Sequence, residues 1–192
     1  MIDDDIKELQ TNLAQTPNEL AQLVQSFPPT NLTIKPAPDE FSVLENICHL
    51  RDIEIEGYTV RIRRILNEDR PFLYDLDGTR LAIERDYNRQ SVSEALLSFS
   101  QARRHNLAVL VEVTESEFER EGELEGVGEI TLRKLLETMW EHDGGHLDEL
   151  RRSLRLARQC HNRDTLLSRT LLRCDLYGRH DFLHLPIQRD PI

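Results

Sequence analysis

The residues best suited to chemistry are two histidines four positions apart, His142 and His146, in a segment with helical apolar periodicity. On an α-helix, residues at this spacing lie about 40° apart around the axis and about 6 Å apart along it. Two imidazoles so placed can reach one metal ion. The helical wheel puts His146 inside the apolar stripe and His142 at its edge. Such pairs also occur by chance on solvent-facing helices, so the spacing alone leaves metal binding open.

Two neighbouring features favour a metal site over a chance pair. Gly144 and Gly145 each cost a helix interior about 1 kcal/mol relative to alanine. This cost predicts a close approach of another helix, a bulge, or room for a ligand beside the histidines. Asp143 falls near the centre of the apolar stripe, where a carboxylate is costly unless it is paired. It is predicted either to accept a hydrogen bond from a ligating imidazole or to lie exposed near an end of the bundle.

His49 is the candidate third ligand, on an earlier amphipathic segment and one turn after Glu45. It lies away from the main apolar stripe of that segment, on a mixed face that includes Glu45 and Glu56. Such a face either lines a polar cleft or is exposed to water. Glu45 is a candidate for orienting a ligand or transferring a proton, and helix capping is its alternative role.

The other candidates are less suited to a site. His105 follows two arginines and is expected at the surface, and His180 with His184 repeats the four-residue spacing in a segment without helical context. Cys48 points about 100° away from the neighbouring histidine on a helix and is predicted to fill the core. A zincin H-E-x-x-H motif would have aspartate in place of its glutamate here, and no strand is available to bind a peptide. A metalloprotease is therefore not expected.

Helical periodicity predicts the elements that must position these residues. Residues 3–14 are predicted to join the next helix at a kink, because Thr16, Pro17 and Glu19 form a helix-start signal. A short helical piece is expected at 80–88 and a connection at 114–129, and no segment shows sustained strand alternation. The four main helices are predicted at about 17–27, 42–67, 91–113 and 131–158.

Four amphipathic helices joined by modest loops predict an all-α fold, a four-helix bundle with extra short helices over residues 1–158. Residues 159–192 contain five arginines and no glutamate, which sets them apart from the bundle. They are predicted to form an Arg-rich C-terminal extension, either docked or flexible.

Charge and cysteine content exclude several classes of protein. The net charge of −11 argues against a general nucleic-acid or anionic-membrane binder, since phosphates attract a positive surface. No apolar run approaches the length of a membrane span, and the acidic N-terminus lacks the pattern of a signal peptide. Three cysteines without a C-x-x-C pair predict a reducing, cytoplasmic location.

Four segments of the chain match a known family in order and spacing. They are PAPDEFSVLE (36–45), HLRDIE (49–54), RDYN (85–88) and HDGGHL (142–147). Through them the chain resembles the DinB/YfiT-like superfamily over roughly residues 15–157. The resemblance implies a four-helix bundle, often a homodimer, in which His49, His142 and His146 bind one divalent metal ion. Two features depart from the family pattern: a phenylalanine at position 41, where an aromatic such as tryptophan is usual, and the Arg-rich extension.

Three neutral imidazoles leave the metal its full +2 charge and at least one position for water or substrate. Zinc suits these ligands best and nickel next, while iron and manganese also accept them. The characterised relatives include metal-dependent transferases of low-molecular-weight thiols and metal-dependent hydrolases. The resemblance therefore implies an enzyme of one of these kinds with a small-molecule substrate. A non-catalytic metal-binding or stress-associated module, and a bundle without metal, are the alternatives.

Overall fold

The computed structural model describes the backbone of residues 3–177 and the side chains of residues 3–159. The chain divides into two units, Met1–Arg155 and Leu156–Ile192. The predicted four-helix bundle with short extra helices is confirmed. Its four long helical segments are α1 (Asp4–Gln25), α2 (Val43–Asp52) continued through a π-helical turn into α3 (Thr59–Asn67), α5 (Val92–Val111) and α7 (Leu132–Tyr177).

The second segment carries the local signals that the sequence predicted, together with a π-helical turn that it did not. Ser42 and Glu45 form a capping box at the start of α2, which is the alternative role predicted for Glu45. Residues Ile53–Tyr58 then form the π-helical turn, in which Thr59 donates its backbone N–H and its Oγ1 to the carbonyl of Glu54. A π turn changes the angular register of the side chains that follow it, and such turns are frequent at functional sites.

The predicted start of a separate helix at Pro17 is wrong, because one helix, α1, runs from Asp4 to Gln25 through the proline. Proline has no N–H, so it cannot donate the helical hydrogen bond to the carbonyl of Leu13. The side chain of Arg103, on α5, donates to that carbonyl instead, over 3.0 Å from Nη1 to O. A tertiary contact thus satisfies the acceptor that the proline leaves free.

The absence of strands predicted for the connection at 114–129 is also wrong. After α6 (Glu115–Phe118), β2 (Glu121–Leu124) and β3 (Gly128–Thr131) pair antiparallel, and β1 (Phe72–Leu73) joins β2 in parallel. Gly126 adopts a φ of 77° in the turn between β2 and β3, a conformation that favours glycine. These strands are two to four residues long, too short to show sustained alternation in the sequence.

Two further elements lie close to the predicted positions. The short piece expected at 80–88 is α4 (Gly78–Glu84), followed by a 3₁₀ turn at Tyr87–Arg89; a second 3₁₀ turn spans Pro29–Asn31. Helix α7 continues beyond Arg158 to Tyr177, and no glycine or proline interrupts the sequence from 146 to 177.

No helix in the described part of the chain has the length and apolarity needed to span a membrane.

The hydrophobic core consists of two clusters of buried side chains, and α7 contributes to both. Leu135, Leu136 and Met139 belong to the first cluster. Leu147 and Leu150 belong to the second. The polar stretch His142–His146 therefore lies along α7 between the two apolar clusters.

Candidate metal centre

Helix α7 holds His142 and His146 one turn apart, as their spacing predicts. The helix is continuous through Gly144 and Gly145, and the two imidazole centroids lie 4.6 Å apart. Both side chains are half-buried.

Helix α2 brings His49 to the same place from 93 residues earlier in the chain. Its Nε2 lies 3.1 Å from His142 Nε2, and its ring centroid lies 4.7 Å from that of His146. One ring nitrogen of each histidine lies within 4.8 Å of the others. A tetrahedral zinc ion with ligands at about 2.1 Å separates its nitrogen ligands by roughly 3.4 Å. The His49–His142 pair already has nearly this spacing.

Burial keeps two of these imidazoles neutral. Burial, with a smaller contribution from the nearby His146, lowers the pKa of His49 to about 4 and the pKa of His142 to about 3. A metal ligand must present a neutral imidazole, and both groups meet this condition at neutral pH.

Hydrogen bonding within the protein does not account for this convergence. His49 Nδ1 and His142 Nδ1 are buried and have no hydrogen-bond partner among the described residues. Two neutral imidazoles that face each other through Nε2 can share only one hydrogen bond, and a buried polar atom left unpaired costs about 1–3 kcal/mol. A cation held between the two Nε2 atoms would engage both of their lone pairs, where a hydrogen bond engages only one, and the protons would stay on Nδ1. The residues present therefore fit a metal ion.

His146 is oriented by two partners that the sequence analysis missed. Its Nδ1 lies 2.7 Å from Asn46 Oδ1 and 3.0 Å from Glu149 Oε2. Because Asn46 donates its Nδ2 to the carbonyl of Ser42, its Oδ1 is the atom left to accept from the histidine. With the proton on Nδ1, His146 has its Nε2 lone pair available for a metal. The hydrogen bond from His146 lowers the pKa of Glu149.

Ring and backbone contacts fix the His49 side chain. Phe41 packs against it with a centroid distance of 5.3 Å, and Gly78, the first residue of α4, lies directly against its ring edge. A Cβ built on Gly78 would overlap Nδ1 and Cε1 of His49. The only sequence signal for this contact was the Asp77-Gly78 pair, which resembles an ordinary turn.

Gly78→Ala is therefore expected to weaken zinc binding by about 10-fold or more while changing the free energy of unfolding by less than about 1 kcal/mol. The added methyl group displaces the end of a flexible side chain rather than the backbone. Competition with a chromogenic chelator measures the affinity, and urea unfolding measures the stability. Gly145→Ala is the matched control, because a Cβ there meets nothing within 4 Å. Equal zinc affinity in the two variants would contradict the prediction.

The lowered histidine pKa values predict that the metal-free protein loses stability in acid. Histidines of the unfolded chain titrate near 6.5, whereas His49 and His142 resist protonation down to about 4 and about 3. Below about pH 6.5 the unfolded state binds more protons, so the free energy of unfolding falls as the pH falls. The two groups contribute up to about 2.7 kcal/mol per pH unit.

Urea unfolding in the presence of a chelator, between about pH 7 and about pH 4.5, measures this slope. His142→Gln is expected to reduce the slope by about 1.4 kcal/mol per pH unit, because one histidine no longer titrates. His105→Gln, at an exposed position on α5 outside the cluster, is the matched control for the substitution itself. A slope that His142→Gln does not reduce would show that His142 protonates equally in both states.

Asp143 is buried, as one of its two predicted alternatives requires, but its described partner is not a histidine. Its carboxylate accepts from Arg103, with distances of 2.7 Å from Nη1 to Oδ2 and 3.2 Å from Nη2 to Oδ1. Asp143 therefore forms an ion pair with Arg103, not the predicted hydrogen bond with a ligating imidazole. The exposed alternative is also wrong, since only 1% of Asp143 is exposed.

Glu45 is buried and makes the capping contact that was its alternative role. Its Oε2 accepts from the backbone N–H of Ser42 over 2.8 Å, and its Oε1 lies 3.1 Å from Lys35 Nζ. Cys48 fills the core as predicted, and burial raises the pKa of its thiol to about 11. His105 is exposed, also as predicted. His180 and His184 lie outside the described residues.

The two mid-helix glycines do not serve a close helix approach. A Cβ on Gly144 or Gly145 would meet nothing within 4 Å, and the helix has no bulge there. Gly144 lines a cavity of about 230 Å³ between α1 and α7, beside Trp140 and Thr16. None of the three clustered histidines lines this cavity. The glycines therefore do not provide the predicted room for a ligand beside the histidines.

Comparison with known proteins places these features in a family. A sequence model of the DinB superfamily matches residues 12–150. The solved structure of YfiT from Bacillus subtilis, described as a probable metal-dependent hydrolase with an unusual four-helix bundle topology, matches with a TM-score of 0.70. It is 22% identical, and the match covers 79% of this chain and 89% of YfiT. At this identity the likeness establishes the fold.

A second solved structure, a DinB-like protein from Bacillus subtilis (YjoA), is 16% identical with a TM-score of 0.49. The match covers 77% of this chain and 90% of that one. No curated protein matches the chain.

Proposed function

The chain belongs to the DinB superfamily, and we propose that it binds one divalent metal ion through His49, His142 and His146 and hydrolyses a small-molecule substrate. The observation that carries this proposal is the convergence of three ring nitrogens, from α2 and α7, within 4.8 Å of one another. YfiT, whose fold this chain shares, is described as a probable metal-dependent hydrolase, which supports hydrolysis over other reactions.

The donor set supports zinc as the metal and nickel as the next choice. All three candidate ligands are imidazoles, and burial keeps His49 and His142 neutral. Three such ligands leave at least one coordination position open, which is typical of catalytic rather than structural zinc sites. When bound, the ion supplies a Lewis acid that activates a water molecule or polarises a substrate oxygen.

The chain's own residues orient the ligands and handle protons. Asn46 and Glu149 hold His146 with its Nε2 lone pair free, while Phe41 and Gly78 hold the ring of His49. Glu45 lies one turn before His49, and its Oε2 is engaged in the helix cap. Its Oε1 pairs with Lys35, whose side chain is 40% exposed, and Oε1 is the oxygen that we propose for proton transfer.

Cobalt(II) substitution tests whether the site has an open position. We expect one cobalt ion per chain and visible absorption bands that change reversibly when small anions are added, since an exchangeable position responds to new ligands. Bands that respond to no added ligand would contradict the enzyme proposal and favour a non-catalytic metal-binding role. Absence of cobalt binding would contradict the metal site itself.

Added glutathione separates hydrolysis from thiol transfer in the same experiment. A thiolate-to-cobalt charge-transfer band that appears with glutathione would favour a transferase of small thiols over a hydrolase. Because Cys48 adjoins His49, the titration is repeated with Cys48→Ser to exclude a contribution from the protein's own thiol. Hydrolysis is favoured if glutathione leaves the spectrum unchanged while small anions alter it.

A further inference from the structure

Arg103, on α5, is a fully buried charge, with 1% of its side chain exposed. An isolated guanidinium in this position would be very unfavourable, so its partners are informative. They are the carboxylates of Glu54 and Asp143, each also about 1% exposed. Burial alone would lower the pKa of Arg103, but Asp143 and Glu54 raise it, so the guanidinium stays charged.

The guanidinium uses its fork geometry on both carboxylates at once. Toward Glu54, Nε lies 2.9 Å from Oε1 and Nη2 lies 2.9 Å from Oε2. Toward Asp143, Nη1 lies 2.7 Å from Oδ2 and Nη2 lies 3.2 Å from Oδ1. Asn106, one turn further along α5, donates its Nδ2 to Glu54 Oε1 over 2.8 Å. Such two-pronged contacts specify the relative orientation of the groups that they join.

The two carboxylates belong to the two helical segments that carry the histidines. Glu54 lies in the π-helical turn, five residues after His49, and Asp143 directly follows His142. Arg103 also donates to the carbonyl of Leu13, which Pro17 leaves without its helical partner. One side chain from α5 therefore joins α1, the segment with the first histidine and the helix with the other two.

We propose that Arg103 is a positioning residue for the metal centre: through Glu54 and Asp143 it sets the distance and rotation between the helices that carry His49 and His142. This inference rests on the proposed metal site. A buried ion network often stabilises a protein no more than apolar side chains of the same volume, whereas its directional bonds define geometry. The role of this network is thus the placement of the imidazoles rather than net stability.

Two variants test the inference. Arg103→Lys keeps the positive charge but cannot form the two forks. A second variant, called the apolar variant, replaces the whole network so that no buried charge is left unpaired. It combines Arg103→Met, Glu54→Met, Asp143→Leu and Asn106→Leu. We expect zinc affinity, measured by chelator competition, to fall about 10-fold to 100-fold in each. Arg133→Lys is the matched control, because Arg133 also joins two acidic residues of separate segments, Asp3 and Glu119.

A second readout needs no metal. The contact between His49 Nε2 and His142 Nε2 should give a slowly exchanging ring N–H signal in NMR spectra of the metal-free protein. We expect this signal in the wild-type protein and in Arg133→Lys, and its loss in both network variants. An apolar variant that keeps both the signal and wild-type zinc affinity would overturn the inference. A wild-type protein that shows the signal but binds no zinc would instead refute the proposed function. In that case the positioning role is decided by whether the two network variants lose the ring N–H signal.

Discussion

Purified His142→Ala/His146→Ala protein is expected to contain no stoichiometric metal, with an affinity for zinc at least about a thousandfold below that of the wild type. The double variant removes two of three converging nitrogens, and the remaining His49 offers a single neutral donor. Elemental analysis of protein purified without added metal measures the content, and chelator competition measures the affinity.

His105→Ala is the control for this experiment, because His105 is an exposed histidine on α5 and belongs to no described metal-binding group. It should retain the wild-type metal content. Circular dichroism is expected to show the same helix content in both variants, since α7 is held by the apolar residues on either side of the histidines. A double variant that keeps stoichiometric metal would show that the ion binds elsewhere.

Arg103→Met is expected to lower the free energy of unfolding by about 3–5 kcal/mol, among the largest effects of any single substitution in this chain. The methionine fills much of the space but leaves Glu54 and Asp143 buried without their cation. Burial already raises the pKa of Glu54, so loss of the arginine favours its neutral form further. Urea unfolding of the metal-free protein at neutral pH measures the loss.

Two comparisons isolate the cause of that loss. Arg133→Met removes a partly exposed arginine with two acidic partners and should cost less than about 1 kcal/mol. The apolar variant, which also replaces the carboxylates and Asn106, should recover most of the stability lost by Arg103→Met. If Arg103→Met is as stable as the wild type, Glu54 and Asp143 do not remain as unpaired buried charges in that variant, and the prediction is wrong.

Local sequence patterns predicted the main helices and placed His142 and His146 on the same helix. The apolar period placed the bundle helices, and the capping box of Ser42 with Glu45 set the start of α2. The four-residue spacing of His142 and His146 put them on one face of α7, since helical geometry depends only on positions along the chain. His49 was a weaker candidate on its mixed face, and only the family resemblance joined it to the pair.

The tertiary structure decided which partner each polar group has. Asp143 could have paired with a histidine or faced water, and packing of α5 against α7 assigned it to Arg103. Asn46 reaches His146 across 100 residues of sequence. In the sequence, Gly78 resembles an ordinary turn glycine. Only its position against His49 shows that a Cβ there would displace the imidazole.

Contacts between distant segments also bear on the two wrong predictions about the fold, at Pro17 and at the short strands. A separate helix was expected to start at Pro17, yet α1 runs through it, and the distant Arg103 satisfies the carbonyl of Leu13 that the proline leaves free. The short strands were missed because two to four residues cannot show sustained alternation, although β2 pairs with both β1 and β3. Helix periods and caps depend on neighbouring residues and can be predicted from the sequence. The pairing of buried charges, donors and acceptors depends on which helices meet, and that is known only once the chain has folded.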